Sequence, residues 1–274
     1  MKEILKELVS SALEEDLPNG DLTTDLLRMA GQQARAKLVA KEDLVVCGQE
    51  IFEEVFHQID PNVRIDWHFK EGDLAIDKQT VATVTGPSNS ILKAERTALN
   101  FIGFMSGIST LTRCFVKQVE HTTCKILDTR KTRPGQRVLE KYAVKTGGAE
   151  NHRMHLSEAI LVKENHFRCF GDFAGSIEQI KEHTQLPIEV EVATLDELKI
   201  AIDLKVNRVL LDNMTTEEIS EAVKMTPPNI QMEASGNMQL DRVREVAETG
   251  VHFISVGAIT HSAPCADYSL LIQE

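Results

Sequence analysis

Residues 188–213 read IEVEVATLDELKIAIDLKVNRVLLDN. Two short runs rich in Val, Leu and Ile flank a segment of helical character, LDELKIAIDL (195–204). A strand, a helix and a second strand within so few residues form a βαβ unit, whose two strands must be parallel. The pattern recurs on both sides. CKILDT (124–129) and EAILVKENH (158–166) precede it, and IQMEASG (230–236) and HFISVGAIT (252–260) follow. AGSIEQIKEHT (174–184), TEEISEAVKM (216–225) and QLDRVREVAETG (239–250) supply helices between them. At least six such strands point to a (β/α) barrel, regular or irregular, rather than an open doubly wound sheet.

The residues closing those runs are polar in every case. Asp128-Thr129-Arg130-Lys131 closes the first, and Lys163, Asn165 and His166 the second. Glu191, Asp212-Asn213, Ser235-Gly236 and Gly257 close the next four. The carboxyl ends of barrel strands meet at one mouth, where such barrels carry their active sites. Arg130, Lys131, Arg153 and Lys163 are therefore expected to line a pocket for a small anion with several charges, since Arg grips carboxylate or phosphate with two N–H groups and Lys adds a point charge. Arg133, Arg137, Lys141 and Lys145 lie on an ordinary amphipathic segment, where a solvated surface is an equally good reading. In GGAENHR (147–153) a glycine pair allows a tight turn, and Asn151, His152 and Arg153 bring donors into one loop. Glu191 and Asp212, with Glu189 on the same strand face, either pair with these cations or hold a partly hydrated Mg²⁺ beside substrate phosphates. Ser235-Gly236-Asn237 and Ser255-Val256-Gly257 close two late strands with small residues that let backbone N–H groups approach a phosphate, within reach of His261. No GxSxG, no Cys–His pair and no metal-spaced His cluster is present, so the site is built for binding, orientation and electrostatics.

Outside the repeat, residues up to about 90 mix helices with β-like runs: AKLVAKEDLVVCG (36–48), RIDWHFKEGD (64–73) and TVATVTG (80–86), with IFEEVFHQI (51–59) between the first two. That is an α+β arrangement on an antiparallel sheet. A long helical pattern from Ser90 to about Val119 carries Gly103 and Gly107 and is expected to contain the domain boundary, giving domains 1–108 and 109–274, with the last residues able to pack back on the first. The chain has 274 residues and a formal net charge of −12, which repels nucleic acid and anionic membranes, and aromatics at 5% are too few for a base-stacking surface. No apolar stretch reads as long enough to span a membrane, and charges interrupt every apolar run of the first 17 residues, which form an amphipathic helix and not a signal peptide. Five scattered cysteines without a CxxC read as free thiols in a reducing cytoplasm.

Several of these segments are recognisable in order. AERTALNFIGFMSGISTLT (94–112), ILDTRKTRPGQRVLEKYAV (126–144), GGAENHR, ILVKENH, IEVEVATLDE, VLLDNM, MEASGN and ISVGAITHSAP (254–264) resemble the quinolinate phosphoribosyltransferases, the carboxylating nicotinate-nucleotide pyrophosphorylases; EEDLPNGDLTTD (14–25) resembles their opening segment. The resemblance covers nearly the whole chain. It implies an α/β protein with an irregular (β/α) barrel C-terminal domain and an α+β open-sandwich N-terminal domain. It implies transfer of phosphoribosyl from phosphoribosyl pyrophosphate to quinolinate with decarboxylation, giving nicotinate mononucleotide, pyrophosphate and CO₂ for NAD biosynthesis. It also implies a Mg²⁺ cofactor and a cytoplasmic homodimer, or higher oligomer, with shared active sites.

Carried over by motif, Arg96 reaches in from the partner; Arg130, His152, Arg153 and Lys163 hold the quinolinate carboxylates. Lys131, Glu191 and Asp212 serve the phosphoribosyl pyrophosphate, with Glu191 and Asp212 on the metal directly or through water. Ser235, Gly236, Gly257 and His261 cradle phosphate, with Thr129, Asn237, Ser255 and Val256 beside them. Arg96 follows from the resemblance alone: beside Glu95 on a helix it reads as a solvated surface residue. His155 departs from the small residue the family carries after NHR, which suggests a reshaped pocket rim. Three rival readings remain at this level: a related phosphoribosyltransferase acting on another small acid, an aldolase using Lys163 in a Schiff base, and a non-catalytic binding protein on the same scaffold.

Overall fold

The first residues form the amphipathic helix α1 (Lys2–Asp16), which buries Leu5, Val9 and Leu13 along one face. The short α2 (Leu22–Leu27) starts where the Asp21 carboxylate accepts the N–H groups of Thr23 and Thr24 at 3.0 and 3.1 Å. β1 (Gln33–Ala40), β2 (Leu44–Val45), α3 (Gln49–Ile59), β3 (Arg64–Trp67), β4 (Leu74–Ala75) and β5 (Thr80–Pro87) follow. β1, β5 and β3 pair antiparallel, β2 pairs with β4, and α3 buries Ile51, Phe52, Val55 and Phe56. α4 (Ser88–Val119) leads out of this part of the chain.

The repeat then unfolds as expected: β6 (Lys125–Leu127), α5 (Arg137–Thr146), β7 (Ile160–Val162), α6 (Glu164–Phe170), α7 (Phe173–His183), β8 (Ile188–Val192), α8 (Leu195–Asp203), β9 (Arg208–Asp212), α9 (Thr216–Met225), β10 (Gln231–Ser235), α10 (Leu240–Glu248), β11 (Phe253–Ser255) and α11 (Ala258–His261). The six strands are parallel, in the order β6-β11-β10-β9-β8-β7. The last strand thus pairs with the first, while β6 and β7 are the two edges. This is the irregularity of the barrel. The segment after Gly148 partly fills the breach, because Glu150 bridges Leu127 in parallel and its N–H donates to Ile126 O at 2.9 Å. β12 (Tyr268–Ile272) finally pairs antiparallel with β1, from Ala40↔Tyr268 to Ala36↔Ile272.

The structure, a computed structural model, describes residues 2–27, 29 and 31–273; the outer ends of the two expected domains, Met1 and Glu274, lie outside them. Two units emerge, one up to Leu111 together with the stretch from Ala263 onward, the other Thr112–Ser262. The second therefore stops at 262 and not at 274. The reason is the β1–β12 ladder, whose backbone bonds hold the last strand to the first unit's sheet.

Within that unit α4 accepts the returning chain at its glycines. Ala266 N–H donates to Gly103 O at 2.8 Å, and a Cβ on Gly107 would lie 1.9 Å from Pro264 O. Contrary to the expectation from sequence, α4 is long and apolar enough by composition to cross a membrane; 56% of the window that meets this test is buried inside the structure. Its inward residues, Ile91, Ala94, Ala98, Ile102, Met105 and Ile108, follow helical spacing and mark a core helix.

Candidate active site

A cavity of 740 Å³ opens at the carboxyl ends of the six parallel strands. Thr129, Arg130 and Lys131 line it after β6, Lys163 after β7, Glu191 on β8, and Asp212 on β9. Ser235, Gly236 and Asn237 enter from β10, Ser255 from β11, and Gly257 and His261 from α11. His152 and Arg153 reach it from the segment that fills the β6–β7 breach. Of the second-unit residues carried over by motif, Val256 alone is not on the wall. Its side chain is buried, and its N–H is already committed to Leu127 O at 2.9 Å. Arg96 is exposed on α4 in the first unit.

Alternation along the strands explains this wall. Glu189 and Glu191 share one face of β8; Arg208, Leu210 and Asp212 share one face of β9; Gln231, Glu233 and Ser235 share one face of β10. The other face carries Ile188, Val190 and Val192, Val209 and Leu211, and Met232 and Ala234, all buried. Apolar side chains thus point outward to the helices and polar ones into the barrel.

Two turns close β9 and β10. Asn213 and Asn237 adopt left-handed backbone (φ 56° and 47°), which Asn tolerates better than most residues. Between them Gly236 has φ 93°, and a Cβ there would lie 2.2 Å from Asn213 Oδ1. Asn237 Nδ2 donates to Asn213 Oδ1 at 3.2 Å, and Asn213 Nδ2 to Asp212 Oδ2 at 2.8 Å. The Asp212 carboxylate is thereby oriented by the loop that follows β10. Gly257 lies against both Lys131 and His261: a Cβ there would meet Lys131 Cδ at 3.1 Å and His261 Nε2 at 3.3 Å.

The wall beside β6 is anchored from below. Asp128, fully buried, accepts Lys141 Nζ at 2.5 Å and the His152 N–H at 2.8 Å, and Lys141 Nζ also donates to His152 O at 2.7 Å. Burial pushes the Asp128 carboxyl up to about 6 against the opposing pull of Lys141, and burial lowers Lys141. Arg153 Nη1 donates to Ala159 O at 2.7 Å, and the Lys163 ammonium is ion-paired with Glu191. So Glu191 does meet a lysine, one of the two roles the sequence left open for it.

Several residues went elsewhere than sequence reasoning placed them. Of the four cations left open, Lys145 is exposed, Arg133 pairs with the buried Glu140 at 3.3 Å, and Arg137 Nη1 donates to Met154 O at 3.1 Å. Lys141 is wholly buried beneath the site. None of the four is on the wall. Nor are Asn165 and His166, which begin α6, where His166 Nδ1 accepts the Lys163 N–H at 2.8 Å. His155 is exposed and bonded to Ser157 Oγ at 2.9 Å, away from the cavity wall. Glu233 and Arg208 were missed, although the alternation of QMEAS and RVLLD placed both on the inner face. Glu233 is fully buried, is bonded to Ser255 Oγ, and pairs with Arg208 Nη1 at 3.2 Å. His152 Nε2, Glu189 and Glu233 lie within 4.8 Å of one another, a grouping that can hold a metal ion in other settings.

Comparison with known proteins agrees with this geometry. Residues 21–106 match the N-terminal domain, and residues 108–271 the C-terminal domain, of quinolinate phosphoribosyl transferase. A probable carboxylating nicotinate-nucleotide pyrophosphorylase of Bacillus subtilis is 37% identical over 97% of the chain and 92% of its own length. One from Synechocystis is 38% identical over 95% and 90%. The solved nicotinate-nucleotide pyrophosphorylase of Francisella tularensis superposes with a TM-score of 0.95 at 40% identity, covering 100% of this chain and 97% of that one. With both domain models matched in order and the strand-end residues gathered on one wall, the chain belongs to the quinolinate phosphoribosyl transferase family.

Proposed function

We propose that this chain transfers the phosphoribosyl group of phosphoribosyl pyrophosphate to the ring nitrogen of quinolinate. One carboxyl is lost as CO₂ and replaced by a proton, and nicotinate mononucleotide and pyrophosphate are the other products, a step of NAD biosynthesis. The observation that carries this reading is the composition of one wall. Arg130, Lys131, His152, Arg153 and Lys163 face a single cavity together with Glu191, Asp212 and the small-residue turns at Ser235–Asn237 and Gly257. Quinolinate brings two carboxylates, which Arg130, Arg153, Lys163 and His152 match with charge-assisted hydrogen bonds. Lys131, beside Gly257 and His261, faces the pyrophosphate side. Reaction needs the pyridine nitrogen in line with the departing pyrophosphate, which is a task of orientation. Glu191 and Asp212 lie where positive charge develops on the ribose, and Lys131 where negative charge develops on the leaving group.

Mg²⁺ is the cofactor that fits. Glu191 and Asp212 offer hard oxygen donors at the cavity wall, and one or two carboxylates beside phosphate oxygens suit this ion, held directly or through water. When bound it neutralises charge on the pyrophosphate oxygens. We further assign a homodimer in which the exposed Arg96 of one copy completes the site of the other, and a cytoplasmic location, in keeping with five free cysteines and a charge of −12.

Incubating the protein with Mg²⁺, phosphoribosyl pyrophosphate and either quinolinate or nicotinate, with chromatography of the products, tests the assignment. Nicotinate mononucleotide is expected from quinolinate; turnover of nicotinate alone would overturn the reading. A Schiff-base aldolase is disfavoured because the Lys163 nitrogen is engaged by Glu191 and not free to attack a carbonyl.

A further inference from the structure

We propose that Glu189 and Glu233 are positioning residues that hold the His152 ring in one tautomer and one plane under the quinolinate carboxylates. The proposal rests on the reading of His152 as a quinolinate ligand.

Three observations carry it. First, the Arg153 N–H donates to His152 Nδ1 at 2.7 Å. A ring nitrogen that accepts a hydrogen bond carries no proton, so the proton of the neutral imidazole is on Nε2. Second, Nε2 is aimed between two carboxylates, 3.4 Å from Glu189 Oε2 and 3.7 Å from Glu233 Oε1. Both acids are buried, and the His152 side chain is only 10% exposed, so the attraction is little screened by solvent. Third, Glu233 is itself held. Glu233 accepts Ser255 Oγ and pairs with Arg208 Nη1 at 3.2 Å. Arg208 Nη2 donates to Gln231 Oε1 at 3.1 Å, and its guanidinium stacks on Phe253 with Cζ 4.1 Å from the ring centre.

A continuous polar column therefore runs from Arg208 through Glu233 and Glu189 to the His152 ring. From there it passes through the ring's Nδ1 to the backbone of Arg153, whose guanidinium faces the cavity. One ring nitrogen, Nδ1, is fixed by a hydrogen bond; Nε2 makes none among the described residues and is held by the two carboxylates that face it, an arrangement that orients a binding imidazole. Glu189 and Glu233 touch no substrate in this account; they act through His152, and the Arg153 backbone follows the ring.

The test has two readouts. Quinolinate and phosphoribosyl pyrophosphate KM values are measured for Glu189→Gln, Glu233→Gln and His152→Ala. The ring-nitrogen resonances of His152, in protein labelled with ¹⁵N-histidine and assigned by their loss in His152→Ala, report the tautomer. Wild-type protein should show His152 protonated on Nε2 and not on Nδ1. Each Gln variant should raise the quinolinate KM by about tenfold or more, with the phosphoribosyl pyrophosphate KM nearly unchanged and the tautomer preference reduced.

If His152→Ala loses quinolinate affinity while both Gln variants keep it, the positioning role is wrong and the ligand reading stands. If His152→Ala keeps wild-type affinity, the ligand reading falls and takes the proposal with it. A wild-type ring protonated on Nδ1 overturns the proposal even where a Gln variant fails to fold. So does a parallel rise in both KM values with an unchanged tautomer.

Discussion

At the scale of single residues the site works by charge placed on rigid supports. In the proposed reading, removing Lys163 or Arg153 leaves a substrate carboxylate without its partner, at a cost of about 2–5 kcal/mol. Steady-state kinetics of Lys163→Ala and Arg153→Ala should therefore show kcat/KM lowered by roughly 30-fold to several thousand-fold. Values close to wild type in both would remove them from the quinolinate pocket. Glu233 gives a second prediction. Burial, then the neighbouring Glu189 carboxylate, pushes its carboxyl up to about 7 from 4.5. A raised carboxyl favours the folded state most fully below its unfolded value, and that contribution is lost as pH rises through about 7. Glu233→Gln cannot titrate, so its stability should gain on the wild type between pH 5 and 8 in denaturant titrations; parallel pH profiles would contradict this. What was legible at this scale was charge at strand ends. Lys141 was not, because LEKYAVKTGG carries an amphipathic pattern that suits either water or a buried partner. What buries it is Asp128, thirteen residues back and brought near only by the turn into α5. Val256 failed for a different reason: its N–H serves the β6–β11 side of the sheet, a pairing between first and last strands that no local pattern announces.

At the scale of elements the repeat was readable because both of its periods are strong. Buried strands separated by amphipathic helices leave few arrangements other than parallel pairing. The breach between β6 and β7 was hidden, since the segment from Gly147 to Arg153 resembles a loop and pairs with β6 at one bridge only. The packing-back expected of the last residues is made by β12, whose apolar look matches the barrel strands but whose partner is β1. α4 shows what its glycines are for. In Gly107→Ala the new methyl would stand where Pro264 O now lies, and either α4 or the 264–266 segment must move. Overpacking of this kind costs about 1–3 kcal/mol, so the midpoint of thermal unfolding should fall. An unchanged midpoint would mean that the returning chain is held more loosely than the geometry indicates.

At the scale of the whole molecule the account depends on two substrates meeting in one site completed by a second copy. In the proposed homodimer, Arg96→Ala and Lys163→Ala place their defects on different sides of a shared site. Each alone should be nearly inactive, while mixed dimers carry one site with both residues intact. Random exchange in an equal mixture should restore about a quarter of wild-type activity. No recovery after proven exchange would place Arg96 and Lys163 in the same copy's site; a fully active Arg96→Ala would place Arg96 in none. The central claim is that phosphoribosyl transfer and decarboxylation are one coupled process in the cavity at the strand ends. The direct measurement is release of labelled CO₂ from carboxyl-labelled quinolinate alongside pyrophosphate. The account predicts one CO₂ per pyrophosphate, and none of either when phosphoribosyl pyrophosphate or quinolinate is left out. Pyrophosphate without CO₂, or CO₂ without phosphoribosyl pyrophosphate, would contradict it.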